Sequence, residues 1–430
     1  MKSYIKHAVG GLNKHLLSTA VITALAVGHS TDSYAGATFK IDDTKWVSVG
    51  LGLRTSFTST ESAAGATNNQ WSNNFALDNA RLYFAGQIHK YLKIEFNTDS
   101  TTSTSGNGDI RILDAIGKVE YNNYANLWVG RMLVPGERRE MNGPFYSGIY
   151  QTFGAGTGTP FEPADYNLTI KNDGTSAGSY GRDDGATVWG AAYNDRFQYA
   201  FGFFRGLRGG ANSSDNPTFS QKLSYNFWEV EKNPGYYTSG TYYGKGGDIL
   251  TVSINNQYQS QGAGLGSYQS TDKTVNLPAV AGNFRGTGVD VLMEKILPNK
   301  AVLTLEGDYK NYGISGGNYS AIANQASGDP RPNFNMFAGQ AYDVSGMYMF
   351  PQKIGIGLIQ PYLRYVNISP NGSSNRNSYQ TGINYVIDGH NAVISLNYIY
   401  GDMNTKKLDY SAGAHGDKVS SLLLGFQWQI

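Results

Sequence analysis

Hydrophobic and polar residues alternate with a period of two along most of this chain. Near its start, Leu51 and Leu53 alternate with Gly52 and Arg54, and the same alternation recurs as far as residue 430. Successive side chains of a β-strand point to opposite faces of the sheet. A barrel strand that crosses a bilayer alternates apolar-outward with polar-inward residues over about ten positions. The pattern therefore predicts strands with one lipid-facing and one lumen-facing side.

Sixteen segments follow this rule. They lie near residues 46–57, 75–88, 91–99, 111–121, 124–132, 186–193, 196–205, 218–227, 248–258, 285–294, 301–310, 337–349, 357–367, 378–387, 392–400 and 419–430. Short links between them alternate with long links rich in Gly, Ser and Asn. The periplasmic turns and extracellular loops of outer-membrane barrels alternate in this way. We therefore predict an all-β fold, a transmembrane antiparallel β-barrel of 16 strands.

One link breaks the alternation of lengths. Residues 228–247 stand where a short turn is expected, and they are rich in tyrosine. Two interpretations are open at this point. Either this turn is long, or it contains another hairpin and the barrel has 18 strands.

The first 35 residues have the features of an export signal. Lys2, Lys6 and Lys14 precede a 12-residue apolar stretch at 16–27, and Ser33-Tyr34-Ala35 then resembles a cleavage site. An apolar stretch of this length is too short to span a bilayer stably. We therefore predict a signal peptide at 1–35 and a mature barrel at 36–430, which places the protein in the bacterial outer membrane.

Composition narrows the possible functions. Lys and Arg total 34 against 33 Asp and Glu, so no basic excess points to nucleic acid as a partner. The chain has no cysteine, which excludes disulfides, thiolate-bound metals and thioether-attached haem. We find no metal-ligand spacing and predict no cofactor and no metal site.

Two stretches resemble the outer-membrane porins related to the phosphate-selective porin O/P family. The first, at 79–140, contains ARLYFAG at 80–86 and LWVGR at 127–131, and the second contains IQPYLRY at 359–365. The resemblance implies a 16-stranded diffusion channel that is a homotrimer, with a third long loop that folds inward and narrows the pore. In this sequence the third long link is 133–185, and it is also the longest.

That link opens with a cluster of charges at 137–140, directly after Pro135-Gly136. Rings of charged side chains set the selectivity of many channels where the pore is narrow. The alternative is a solvated loop base whose charges offset one another. Our pore-lining and constriction candidates combine this cluster with basic and acidic strand residues: Arg54, Arg81, Lys93, Glu95, Lys118, Glu120, Arg131, Glu137, Arg138, Arg139, Glu140 and Arg364.

The charges assigned to the lumen by strand parity nearly balance, with seven basic against nine acidic residues. Capture of phosphate would need a basic surplus, because each fixed positive charge raises the local anion concentration. We therefore expect an outer-membrane porin for passive diffusion of small hydrophilic solutes or ions, with weak selectivity. Its other partners would be outer-membrane lipid and lipopolysaccharide.

Other classes of function receive less support. His89 and His390 fall in predicted turns and His415 in an outer loop, and none sits beside a plausible serine nucleophile with a carboxylate to orient it, so we identify no catalytic residues and do not expect an enzyme. Two non-channel alternatives stay open. The barrel could anchor outer loops that bind a partner, as an adhesin does, or it could sheathe an electron-transfer partner.

Overall fold

The computed structural model describes residues 36–101, 109–152, 181–206, 212, 214–265, 267–316, 338–370, 375–402 and 418–430. The predicted signal peptide at 1–35, most of the long link at 133–185 and His415 lie outside these ranges.

Sixteen long antiparallel strands form one closed sheet. In chain order they are β1 (Trp46–Ala64), β2 (Gln70–His89), β3 (Leu92–Thr101), β4 (Asp109–Glu120), β5 (Asn126–Leu133), β6 (Arg182–Ala192), β7 (Phe197–Phe204), β8 (Thr218–Asn226), β9 (Ile249–Leu265), β10 (Val280–Ile296), β11 (Val302–Ser315), β12 (Gly339–Met349), β13 (Gly357–Pro370), β14 (Arg376–Asp388), β15 (Ala392–Gly401) and β16 (Val419–Gln429). Each pairs with its neighbours in sequence, and β16 closes on β1 with Gly52 opposite Gln429 and Thr60 opposite Ser421. The predicted 16-stranded barrel is confirmed.

Three short pieces of strand accompany the barrel. Ala37–Lys40 pairs with the first residues of β1, Lys353–Ile354 pairs with the first residues of β13, and Tyr268–Gln269 forms a small hairpin with Asn276–Leu277. None adds a strand to the closed wall. The 18-strand alternative is wrong, because residues 227–248 contain no hairpin and make only one isolated bridge, between Glu229 and Ile249.

Several strands run further than predicted: residues 259–265 and 280–284 of the predicted link at 259–284 belong to β9 and β10, and β11 continues to Ser315. The largest difference is at the first hairpin. There, β1 and β2 extend through most of the predicted link at 58–74 and leave only residues 65–69 between them. In the parts of the chain that the structure describes, no helix combines the length and apolarity needed to cross a membrane.

The distribution of polarity is the reverse of that in a soluble protein. On the outside, Leu51 and Leu363 are 53% and 66% exposed, whereas inward-facing Ser48 and Arg54 are only 3% and 4% exposed. Apolar side chains cover an outer-membrane barrel because they face hydrocarbon, and polar side chains line its interior. Together with the barrel fold, this surface places the protein in the bacterial outer membrane.

Exposed aromatic rings mark the end of the barrel where the short turns lie. Tyr121, Tyr124, Tyr193 and Phe227 stand at this end with their rings outward, as expected of a girdle at the membrane–water interface. Trp189 does not belong to it. Its position lies opposite buried Asn126 on β5, and its ring packs inside the barrel against Trp128.

Two segments of chain enter the barrel from opposite ends and meet inside. The constriction segment, residues 134–152, follows β5 and contains the helix α1 (Arg138–Tyr146). The turn-side segment, residues 227–248, joins β8 to β9. Its Thr238 hydroxyl donates to the Arg138 carbonyl (2.9 Å), and its Gly240 N–H donates to the Tyr146 carbonyl (2.9 Å). The interior is therefore partly filled with ordered chain.

A charged substitution on the outer face tests whether that face contacts lipid. We expect Leu363→Arg to lower the free energy of unfolding by about 2–4 kcal/mol, because this position in the middle of β13 faces hydrocarbon. Leu363→Phe, which stays apolar, is the matched control. Urea unfolding of barrels refolded into liposomes measures both, and an arginine variant as stable as the wild type would contradict the lipid-facing assignment.

Candidate functional site

The constriction segment begins with a capped helix. The Glu137 carboxylate accepts the Arg139 N–H at 2.7 Å, which satisfies one of the free backbone donors at the start of α1. The helix is kinked at Gly143, whose φ of 61° lies in the left-handed region, and Pro144 follows it. Its side chains from Arg138 to Phe145 are all buried, so α1 lies inside the barrel and not over its mouth.

Arg139 joins the helix to strands β11 and β12. Its guanidinium lies 2.9 Å from a Glu306 oxygen, 3.0 Å from an Asp308 oxygen and 3.0 Å from an Asp343 oxygen. It is 1% exposed. Burial alone would lower the pKa of Arg139, but the surrounding carboxylates, Asp343 first, raise it above its usual value. A charged arginine is therefore the stable form here.

Arg138 points to a different set of partners. It forms a bidentate pair with Glu231 of the turn-side segment (2.6 and 2.8 Å) and approaches Asp290 of β10 at 3.5 Å. Glu137, in turn, pairs with Lys310 of β11 at 2.7 Å. Burial would raise the pKa of Glu137, but the Lys310 charge and local hydrogen bonds hold it below its usual value. The charge cluster thus fixes α1 to both the wall and the turn-side segment.

After the helix, the segment continues along the wall past β12 to strands β13, β14 and β1. The Arg364 guanidinium of β13 donates to the Gln151 carbonyl (3.0 Å), and the Asn384 amide of β14 donates to the Gly148 carbonyl (2.8 Å). Tyr150 reaches β1, where its hydroxyl lies 2.9 Å from the Thr55 carbonyl. Hydrogen bonds therefore hold residues 147–152 along their length.

Two glycines let aromatic rings approach the wall closely. A Cβ at Gly52 of β1 would lie 2.9 Å from the Phe145 ring, and a Cβ at Gly425 of β16 would lie 2.7 Å from the Tyr150 ring. Real Cβ atoms do not come so close to a ring carbon. Any other residue at either position would push the constriction segment away from the wall.

An open space remains between α1, the turn-side segment and strands β2 to β6. This cavity has a volume of about 540 Å³. The wall side carries charged and polar groups, among them Arg81, Glu95 and Asp114, and the other side carries Met141 and Tyr237. This space lies on one side of the helix, away from the carboxylates of β10 to β12 that pair with Arg138 and Arg139.

The predicted site residues separate into three groups: strand residues that face the lumen, residues that hold the constriction segment, and Arg131. Those on β1 to β4 face the lumen, where most join ion pairs across neighbouring strands; these pairs are Arg81–Asp99 (2.8 Å), Lys93–Glu120 (2.7 Å) and Lys118–Glu95. Arg54 lies against the Tyr150 ring, 4.0 Å from its centre. The residues at 137–140, together with Arg364, form the buried contacts that hold the constriction segment.

Arg131 is placed differently from the prediction. It follows Leu127 and Val129 in pointing outward, and it pairs with Asp184 directly across β5 and β6 at 2.7 Å. Its side chain is 39% exposed. Arg131 therefore does not line the lumen, and the corrected set of lumen residues omits it.

The sequence analysis did not predict that the turn-side segment enters the barrel and helps to build the site. Tyr236 donates to the Leu133 carbonyl at 2.5 Å, and its ring packs on Trp128 in a buried apolar cluster. Thr241 donates to Glu294 at 2.8 Å. The one signal for this role was the unexpected length of a link where a short turn was predicted.

His390 also has a neighbour that its sequence position did not suggest. Its Nε2 lies 3.0 Å from the Ser239 hydroxyl, but also 2.9 Å from the Thr241 carbonyl, which requires a proton on this nitrogen. A general base needs that nitrogen free to accept. In the described residues, the other ring nitrogen has no hydrogen-bond partner, so no carboxylate orients the ring. The contact links the turn-side segment to the turn between β14 and β15.

No family model matches the sequence, and no curated protein matches it either. The resemblance to the phosphate-selective porin O/P family therefore stays a prediction.

Solved structures are similar in fold. An anion-selective porin from Comamonas acidovorans has a TM-score of 0.53 at 12% identity over 90% of this chain and 100% of its own. Pseudomonas putida OprB gives 0.52 at 10% identity over 89% and 94%. OmpT of Vibrio cholerae, expressed in the outer membrane, gives 0.51 at 13% identity over 91% and 100%. At these identities the likeness shows the fold alone, which is that of outer-membrane porins.

The ion pairs of Arg139 should matter far more than the outer pair of Arg131. We expect Arg139→Met to cost about 3–5 kcal/mol of stability, because it leaves buried carboxylates without their cation. Arg131→Met, which breaks a half-exposed pair, should cost less than about 1 kcal/mol. Urea unfolding of both variants in the same detergent measures the difference, and equal losses would contradict the buried network.

His390 predicts a pH dependence of stability. Burial, with a contribution from Lys245, lowers its pKa to about 4 from an ordinary 6.5. Between these values the unfolded chain binds a proton that the folded chain does not. The free energy of unfolding should therefore fall as the pH drops from about 6.5 to about 4, and this contribution should level off below that range. Unfolding curves of the wild type and His390→Gln across this window test it, and the same slope in both would refute it.

Proposed function

We propose that this protein is a general, weakly selective outer-membrane channel for passive diffusion of small hydrophilic solutes or ions. The observation that carries the proposal is the cavity of about 540 Å³ left beside the constriction segment within a closed barrel wall. A space of this size accommodates small molecules. The passage runs along strands β2 to β6, and the contacts of Arg138 and Arg139 on the opposite side keep α1 in place.

Pairing of the lumen charges is our reason to expect weak selectivity. Arg81 and Lys118 each contact a carboxylate on a neighbouring strand, and Arg182 of β6 contacts Asp114 two strands away on β4. A paired charge produces a smaller field at a distance than an isolated one, so it concentrates counter-ions less. Pore width and local contacts would then discriminate among solutes more than overall charge. This reasoning gives no support to selective phosphate capture.

We prefer the channel to an enzyme because the Ser239–His390 contact lacks the features of a catalytic pair. Ser239 is 4% exposed, and the proton on His390 Nε2 already bonds Thr241. We also prefer it to a sheath for an electron-transfer partner, since the remaining space is far smaller than a protein domain. The adhesin alternative concerns long links that lie largely outside the described residues.

Three further parts of the proposal come from the sequence. We propose that residues 1–35 are removed on export, that the mature barrel assembles as a homotrimer, and that it contacts lipopolysaccharide through its outer surface. Mass spectrometry of the purified mature protein tests the first two: an N-terminus other than residue 36 would contradict the cleavage site, and a native mass of one chain would contradict the trimer.

Planar-bilayer recording of the refolded mature protein tests the channel directly. We expect stable ohmic steps and a small reversal potential under a KCl gradient, because the lumen charges are paired. Strong anion selectivity blocked by phosphate would contradict the weak-selectivity proposal. Absence of conductance from correctly folded barrels would overturn the channel.

Shortening the turn-side segment should widen the passage. Glu229 N–H already bonds the Asp248 carbonyl at 2.9 Å, so residues 230–247 can be replaced by Asn-Gly as a tight hairpin turn. We expect the single-channel conductance to rise severalfold, since the segment occupies the lumen. Tyr236→Phe, which keeps the segment and loses one hydrogen bond, is the control. Unchanged conductance in the shortened barrel would show that the segment does not restrict flow.

A further inference from the structure

The residues that line the cavity beside α1 indicate which class of ligand it could bind. This inference rests on the proposed channel function. Chain from both ends of the barrel encloses it: α1 on one side, the turn-side segment below, and the wall from β2 to β6 opposite. A solute crossing the barrel would spend time in this space. Its lining therefore determines which solutes are retained.

Tyrosine rings supply much of the inner lining. Tyr146 comes from α1, and Tyr237, Tyr242 and Tyr243 come from the turn-side segment. Two of their hydroxyls are already engaged by protein, since Tyr237 accepts the Leu133 N–H (3.4 Å) and Tyr242 donates to Glu231 (2.6 Å). These two residues therefore offer mainly ring surface to a solute. Aromatic rings bind other rings through offset stacking and edge contacts.

The charges around the cavity are paired except for one. Each carboxylate of the lining has a cation within reach; these pairs are Glu95 with Lys118, Asp114 with Arg182 and Asp388 with Lys245. Lys232, at the exposed start of the turn-side segment, also lines the cavity and has no hydrogen bond or ion pair among the described residues. The lining that holds the tyrosine rings thus also holds one positive charge without a counter-charge.

We propose that this cavity binds a ring-bearing organic monoanion, of the class of aromatic carboxylates, with its ring against the tyrosines and its carboxylate toward Lys232. The rings select for a planar or cyclic body. The single unpaired cation selects for one negative charge. A dianion such as phosphate has no second cation to bind, and an acyclic acid leaves the ring surfaces unused.

Calorimetry on the refolded barrel in detergent tests the proposal without requiring conductance. The probes are benzoate, its neutral analogue benzamide, and acetate, which lacks the ring. We expect benzoate to bind at least severalfold more tightly than either of the others. Benzoate that binds no better than acetate, or no better than benzamide, would overturn the proposal.

Two variants separate the contribution of the charge to binding from that of the rings. Lys232→Gln should weaken benzoate about fivefold, the size of one charge contact in a watery site, and leave benzamide unchanged. Tyr146→Leu should weaken both ring compounds and leave acetate unchanged. Lys300→Gln removes the same charge from an exposed turn at the same end of the barrel, outside the cavity lining, and should change none of them. Equal losses of benzoate in Lys232→Gln and Lys300→Gln would contradict a local role for Lys232.

Bilayer recordings on the same preparation separate this proposal from the channel itself. Ohmic steps with no benzoate binding in calorimetry would overturn the ligand assignment and leave the channel intact. Benzoate binding without any conductance would support the site and overturn diffusion through it. Ohmic steps that millimolar benzoate blocks, and benzamide does not, would support both.

Discussion

The interior of this barrel depends on charges that are buried in the lumen. Arg138 and Arg139 stand side by side on α1 and reach carboxylates on different elements, Glu231 on the turn-side segment and Asp343 on the wall. A buried charge without a partner costs several kcal/mol, so each arginine is stable only where its carboxylates already are. Charge pairing therefore specifies a single position for the helix across the barrel.

That position determines where space is left inside the barrel. Because the arginines of α1 pair with carboxylates on β10 to β12, the space that stays open lies on the other side, against β2 to β6. The turn-side segment supports the helix from the opposite end of the barrel, and its Tyr236 packs on Trp128 of the wall. Gly235 makes this contact possible, because a Cβ there would lie 2.3 Å from the Trp128 ring. The two segments thus hold each other in place.

The sequence was sufficient to predict the wall, and the porin resemblance implied an inward third loop, but the turn-side segment and the contacts that hold the interior could not be predicted. Period-two alternation reports which side of a strand meets lipid, so all 16 strands and the outer-membrane location could be read from it. Pairings such as Lys310 with Glu137 join residues far apart in sequence, and no local pattern encodes them. Arg131 is a different case, since it shares the parity of Leu127 and Val129 and the alternation itself places it on the outer face; the resemblance of its motif to a porin strand was not a reason to assign it to the lumen.

The charge cluster at 137–140 was predicted as a possible selectivity ring, and its burial suggests a positional role instead. A side chain that is fully paired and out of contact with solvent contributes little field to a passing ion, but it orients everything attached to its backbone. Here that includes Met141 and Tyr146, which face the open space. Discrimination among solutes would then depend on ring surfaces and the shape of the cavity. The charges that determine this shape stand on the other face of the helix, where no solute reaches them.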